Sequence, residues 1–269
     1  MNINFKFLLC GAAFCFVPQA AVAQCAVTDC QQLGYTSLKS CTGGLKCPFG
    51  EYWACPKVEE KAVLGECTGY AQNCKIADIL NSDGTCSNDK VSGKTPIGVV
   101  VYISGGSDKC GYAMTASPIA TNIKWSTENV STGAFQSSNW ETAITDFDVR
   151  GNMTKIIQTA NGNSSKYPAA YTALNYAPSA ILTSKGKWAL PTAGILNSLY
   201  TNLNAINNTI SKLGGTQLTT NNEYIWSSSE ASSKQTWLFL TDRSHGLGAD
   251  GIYGHYKTID GVVRPVIAF

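Results

Sequence analysis

The sequence is short of charge. Only 14% of its 269 residues are Asp, Glu, Lys or Arg, against about 25% in an average soluble domain. The formal net charge is +2. No block of five or more basic residues occurs, so an electrostatic footprint for nucleic acid is missing. Only two histidines are present, His245 and His255, and neither lies near the cysteines. No C-x-x-C pair occurs, which excludes zinc-ribbon and thioredoxin-type motifs. G-x-S-x-G, H-E-x-x-H and phosphate-binding glycine loops are also absent. Ser244-His245 is an isolated pair that reads as loop, and Gly105-Gly106 as a turn. No catalytic set is assigned, no cofactor or metal is expected, and the chain is read as a binding protein rather than an enzyme. Asp242, Asp250 and Asp260 lack calcium-loop spacing and read as solvated acids.

Long apolar runs are equally scarce. Phe7 to Val17 is too short for a membrane span of about 20 residues, and Pro18 and Gln19 end it. With Lys6 before it and Ala21-Val22-Ala23 after it, the segment 1–23 reads as a signal peptide cut after Ala23. Gln24 before Cys25 argues against a lipid anchor. The expected location is therefore secreted or cell-envelope, with no membrane span after cleavage.

Cysteine, by contrast, is abundant: eleven in all. Cys10 and Cys15 would leave with the signal. Nine remain: Cys25, Cys30, Cys41, Cys47, Cys55, Cys67, Cys74, Cys86 and Cys110. In an exported protein this density reads as a disulfide framework. The number is odd, and Cys110, set apart from the rest, is the candidate for the unpaired thiol. Residues 24–93 have few aliphatic runs and read as a small, irregular, cross-linked module.

The composition changes near residue 93. Ile97 to Ile103 is β-branched and bounded by Pro96, which predicts a buried strand. Met153, Ile156, Ile157 and Ala160 have helical spacing, and Ala169 to Asn175 resumes a helix beyond Pro168. Ile195, Leu199, Leu203, Ile206, Ile210 and Leu213 form one stripe on a helix, capped by Thr192 and ended by Gly214-Gly215. Tyr224-Ile225-Trp226 predicts a short strand ahead of a serine-rich loop, Thr236 to Leu240 a second strand, and Val262 to Phe269 a terminal strand. Pro265 requires an edge or bulge. The strands near residues 100 and 265 are expected to pair and close the domain, 94–269, as a loop.

Trp226-Ser227-Ser228-Ser229-Glu230, Trp237 and Val263-Arg264-Pro265-Val266 together resemble the Lcl C-terminal-domain family of bacterial surface proteins. Trp188-Ala189-Leu190-Pro191-Thr192-Ala193-Gly194 with Leu199-Tyr200, and Pro96-Ile97-Gly98-Val99-Val100, fit the same family. The resemblance spans about residues 95–269. It implies an α+β, C-type-lectin-like fold with paired terminal strands and two helices. Related folds include phage receptor-binding tips, retroelement variable proteins and formylglycine-generating enzymes. The last need late cysteines, and none follows Cys110. The calcium-binding Glu-Pro-Asn and Gln-Pro-Asp triplets of carbohydrate-binding C-type lectins are missing.

Two groups of residues stand out. Glu230 and Arg264 flank apolar strands, where a lone charge is costly, and are expected to form a structural ion pair. The loop from Asp242 to Asp260 gathers Arg243, His245, Tyr253, His255 and Tyr256 among glycines, flanked by Asn221 and Asn222. It is the candidate ligand surface, since Tyr and Arg give large contact areas with polar tips. The expected partner is an extracellular glycan, matrix polymer or protein. The first alternative is a structural adhesin or fimbrial-tip component, and the second is an enzyme, which turnover abolished by a single Ser244 or His245 substitution would favour.

Overall fold

A computed structural model describes residues 73–105, 110–178, 188–218, 224–240 and 251–269, together with four short strands nearer the N-terminus. Arg243, His245, Asn221 and Asn222 lie outside the described residues. The chain divides into two compact units, Met1–Lys61 and Ala62–Phe269. In the first, β1 (Leu8–Cys10) pairs with β2 (Ala13–Cys15), and β3 (Lys39–Lys46) with β4 (Tyr52–Ala54), both antiparallel.

The second unit is mixed α and β. Its first sheet contains β5 (Ile79–Asn81), β6 (Cys86–Ser87), β7 (Pro96–Ile103), β8 (Gly111–Met114), β10 (Trp188–Ala189) and β15 (Val266–Ala268), in the order β10-β15-β8-β7-β5-β6. Its second contains β9 (Ala120–Lys124), β11 (Ile225–Glu230), β12 (Gln235–Phe239), β13 (Ile252–Tyr256) and β14 (Asp260–Val263), in the order β13-β12-β11-β14-β9. Five α-helices are described: α1 (Trp140–Ala143), α2 (Val149–Ala160), α3 (Pro168–Asn175), α4 (Ala193–Thr201) and α5 (Leu203–Leu213). α4 touches β7 of one sheet and β11, β12 and β13 of the other, so it packs between them.

β7 forms where the β-branched run predicts a strand, and it is buried on both faces. Val99 and Val101 join the main core, while Val100 joins a second cluster with Leu80, Ala113, Trp188, Ile267 and Phe269. A strand covered on both sides explains a continuous apolar run in place of an alternating one. The stripe on α4 and α5 also meets the core: Ile195, Leu199, Ile206 and Ile210 are fully buried. Each such side chain contributes about 1.5–3 kcal/mol.

The single helix expected here is two. Asn202 leaves helical geometry (φ −115°, ψ 18°), and its side-chain amide donates to Ser198 O at 2.9 Å, an example of a polar side chain competing with the helix for backbone groups. The ends match expectation. Thr192 Oγ1 accepts from Ile195 N, and Gly214 closes α5 with φ +73°.

The boundary expected near residue 93 moves. β5 and β6 precede it and belong to the first sheet, with β5 hydrogen-bonded to β7 (Ile79↔Val99, Leu80↔Gly98). The Cys74–Cys86 disulfide ties the segment just before β5 to β6. Cys110, the candidate free thiol, is itself disulfide-bonded.

The terminal strands do not pair directly. β7 turns back into β8, and β8 takes the place beside β15 (Val266↔Met114, Ile267↔Ala113). The segments near 100 and 265 thus share a sheet with one strand between them, because the local hairpin claims the nearer edge. Nor is the tail one strand. β14 lies in the second sheet and β15 in the first, and the chain crosses at Arg264-Pro265. Thr115–Ile119 crosses alongside it, with Thr115 N donating to Pro265 O (3.2 Å) and Ile119 N to Val263 O (3.0 Å). Proline, lacking an N–H, fits a break between ladders.

Candidate functional site

The serine-rich segment is core. Ile225 to Glu230 is one strand, buried throughout. Its hydroxyls are paired: Ser227 Oγ donates to Trp237 O (2.7 Å), and Ser229 Oγ to Asp146 Oδ2 (2.6 Å). Asp146 also accepts from Asn152 Nδ2 at 2.7 Å. Small hydroxylated side chains can be buried in a strand only when each finds such a partner. The network holds α2, α4 and β11 together, with Ala193 N of α4 donating to Ser229 Oγ at 2.9 Å.

The ion pair expected between Glu230 and Arg264 is replaced by another. Glu230 contacts Lys257 Nζ, and both side chains are fully buried. The carboxylate also accepts from Thr132 N and Thr132 Oγ1 (3.1 Å to Oε2 in each case) and from Ser131 Oγ (3.3 Å). Lys257 Nζ further donates to Val130 O (2.9 Å) and lies 4.6 Å from the Trp125 ring centre. Burial pulls the ammonium below its ordinary pKa, while Glu230 opposes that pull.

Register explains the exchange. β11 and β14 are parallel with Ile225 beside Val262, which aligns Arg264 with Ser227, about 10 Å short of Glu230 at 3.3 Å per residue. β13 instead runs to the β11–β12 turn, where Thr236 opposes both Glu230 and His255. Arg264, also fully buried, donates to Thr216 O.

Three of the five expected ligand residues come together. β12 and β13 pair from Gln235↔Tyr256 to Phe239↔Ile252. Alternation places Leu238, Tyr253 and His255 on one face of the second sheet, opposite the face whose Phe239 meets Tyr200 of α4. A 230 Å³ pocket is lined, among the described residues, by Leu238, Leu240, Tyr253, His255 and Tyr224, and by Gln235, Gly254 and Tyr256, which alternate onto the other face of the ladder. The leucines are buried, whereas Tyr256 is 54% exposed. Tyr224 and His255 rings stand 5.4 Å apart, and His255 and Tyr256 rings 6.0 Å apart, edge to face. His255 Nδ1 accepts from Tyr256 N at 2.8 Å.

Sequence reasoning missed Tyr224, Gln235, Leu238 and Leu240. Leu238 and Leu240 were readable from alternation in β12, but only pairing with β13 shows that they floor a pocket. Lys257 was missed because nothing local distinguishes it from a solvated loop lysine.

A larger cleft of 830 Å³ opens where β8 leaves the first sheet, between Lys94 and Pro96 on one side and Thr115–Ile119 on the other, with Tyr176 and Leu213. Its Lys94 is held by Asp83 at 3.0 Å and by Thr85. Among the described residues no group of three or more His, Cys, Asp or Glu is arranged for a metal ion, and no helix is long and apolar enough to cross a membrane.

No protein-family model and no curated protein matches the chain. Among solved structures the chain is similar to a fimbrial protein from Bacteroides ovatus ATCC 8483, with a TM-score of 0.51 and 14% identity, over 73% of this chain and 49% of that one. The likeness therefore spans about half of that protein, and at this identity what the two chains share is a fold.

Proposed function

We propose that the protein is an exported surface protein of adhesin type that works as part of, or beside, a fimbria-like filament. The observation that carries this reading is the fold shared with a fimbrial protein over 73% of the chain. The Cys74–Cys86 disulfide supports an oxidising compartment. In this reading residues 1–23 are the cleaved signal. The ordered tail motifs, from Trp226 to Glu230 and from Val263 to Val266, support kinship with Lcl-type C-terminal domains and a C-type-lectin-like ancestry. The role is binding and assembly rather than turnover.

The test is fractionation of the native host. The protein should co-purify with sheared surface filaments, begin at Gln24 and carry oxidised cysteines. Recovery from the cytoplasm as a full-length, reduced chain rules the reading out.

A further inference from the structure

Two side chains capable of condensing with each other are held in contact where water is excluded. Glu230 and Lys257 are both fully buried, and Lys257 Nζ touches Glu230 Oε1. The backbone of each residue is pinned on both sides. Glu230 N donates to Phe135 O (2.8 Å), and Glu230 O accepts from Ser137 N (3.1 Å). Lys257 N donates to Lys234 O, and Lys257 O accepts from Ser126 N, at 3.0 Å each. The Trp125 ring, with Tyr167 edge-on to it at 5.7 Å, walls the ammonium side. Groups oriented in this way react with effective molarities of about 10⁵–10⁸ M.

The polar contacts around the pair also fit an amide. Thr132 N and Thr132 Oγ1 (3.1 Å each) and Ser131 Oγ (3.3 Å) all reach Glu230 Oε2. Such donors stabilise negative charge as it develops on an acyl oxygen, and afterwards they satisfy an amide carbonyl. Val130 O accepts from Nζ at 2.9 Å, which answers the one hydrogen that an amide nitrogen keeps. Burial favours the uncharged amine that must attack. An ion pair at this place bears the desolvation of two charges, and a neutral amide does not.

We propose that Glu230 and Lys257 condense into an intramolecular amide. A proton passes from the Lys257 ammonium to Glu230 Oε1. The freed amine attacks Cδ, the Nζ–Cδ bond forms, and Oε2 takes up negative charge facing Thr132 and Ser131. A second proton moves from Nζ to Oε1, the Cδ–Oε1 bond breaks, and one water leaves. No oxidant, reductant or cofactor is consumed. The ion pair is the state of the newly folded chain. The amide then links the end of β11 to the residue after β13, 27 positions apart.

The bond is read on the purified chain, whatever the outcome of fractionation. The full-length protein is reduced, alkylated, digested with trypsin and analysed by mass spectrometry. The peptides that carry Glu230 and Lys257 should appear joined, one water lighter than their sum, with no cleavage after Lys257. Glu230→Ala and Lys257→Arg should each yield two separate peptides. Separate peptides from the parent protein overturn the proposal, and this outcome does not depend on any variant folding. A joined peptide that persists in Lys257→Arg, or that maps to another lysine or carboxyl group, overturns it equally.

Discussion

At the scale of the residue, the Glu230–Lys257 pair shows how a buried charge is tolerated. Coulomb attraction, two contacts from Thr132, one from Ser131 and a carbonyl from Val130 share the cost of removing both ions from water. Removing one partner leaves the other stranded. Lys257→Met should therefore cost about 3–5 kcal/mol in urea-induced unfolding, and Glu230→Gln combined with Lys257→Met should recover part of that loss. A double variant no more stable than Lys257→Met alone would show that the carboxylate is stabilised without its cation.

A second residue makes a test by pH. Burial, with help from Asp148 and Tyr102, pushes the Tyr112 phenol from 10.0 up to about 12. The folded state thus holds this proton more tightly than the unfolded one. Its contribution is complete below pH 10 and is lost as pH rises towards 12. Tyr112→Phe should flatten the fall in stability over that window, measured by denaturant titration at several pH values.

At the scale of the element, two glycines separate backbone strain from crowding. Gly214 has φ +73° and open space where a Cβ would go, whereas Gly261 would press a Cβ against the Trp226 indole at 2.5 Å. Gly214→Ala should cost about 1–2 kcal/mol through conformation alone. Gly261→Ala should cost about 1–3 kcal/mol by overpacking and should also perturb tryptophan fluorescence, a change absent from the first variant.

Elements were also what the sequence displayed most openly. β7, α2, α3 and the caps of α4 and α5 follow from run length, spacing and capping chemistry, because those are local causes. Pairing was not legible. The β7–β8 hairpin displaced the expected partnership of terminal strands, and Pro265 marked a crossing between sheets where one strand was expected. For the same reason Tyr253, His255 and Tyr256 could be named from composition, while the leucine floor beneath them and the true partner of Glu230 depend on registers that no local pattern encodes.

At the scale of the whole molecule, the position of β5 makes the unit larger than the composition change implies. A fragment of residues 94–269 lacks both β5 and β6, exposing the β7 edge and the apolar face of Leu80's cluster. It should fail to unfold cooperatively, while residues 62–269 should give one sharp calorimetric transition. The Cys74–Cys86 bridge closes a loop with a sequence separation of 12. Replacing both cysteines by serine should lower stability by about 2–3 kcal/mol.

The two polypeptide crossings, Thr115–Ile119 and Arg264-Pro265, run side by side from one sheet to the other. They act as a double strap at one corner of the unit. If tension reaches this protein, neither sheet can peel away while the other stays intact, because each strap hands the load to both. Stretched between its ends in an optical trap, residues 62–269 should yield in one abrupt extension.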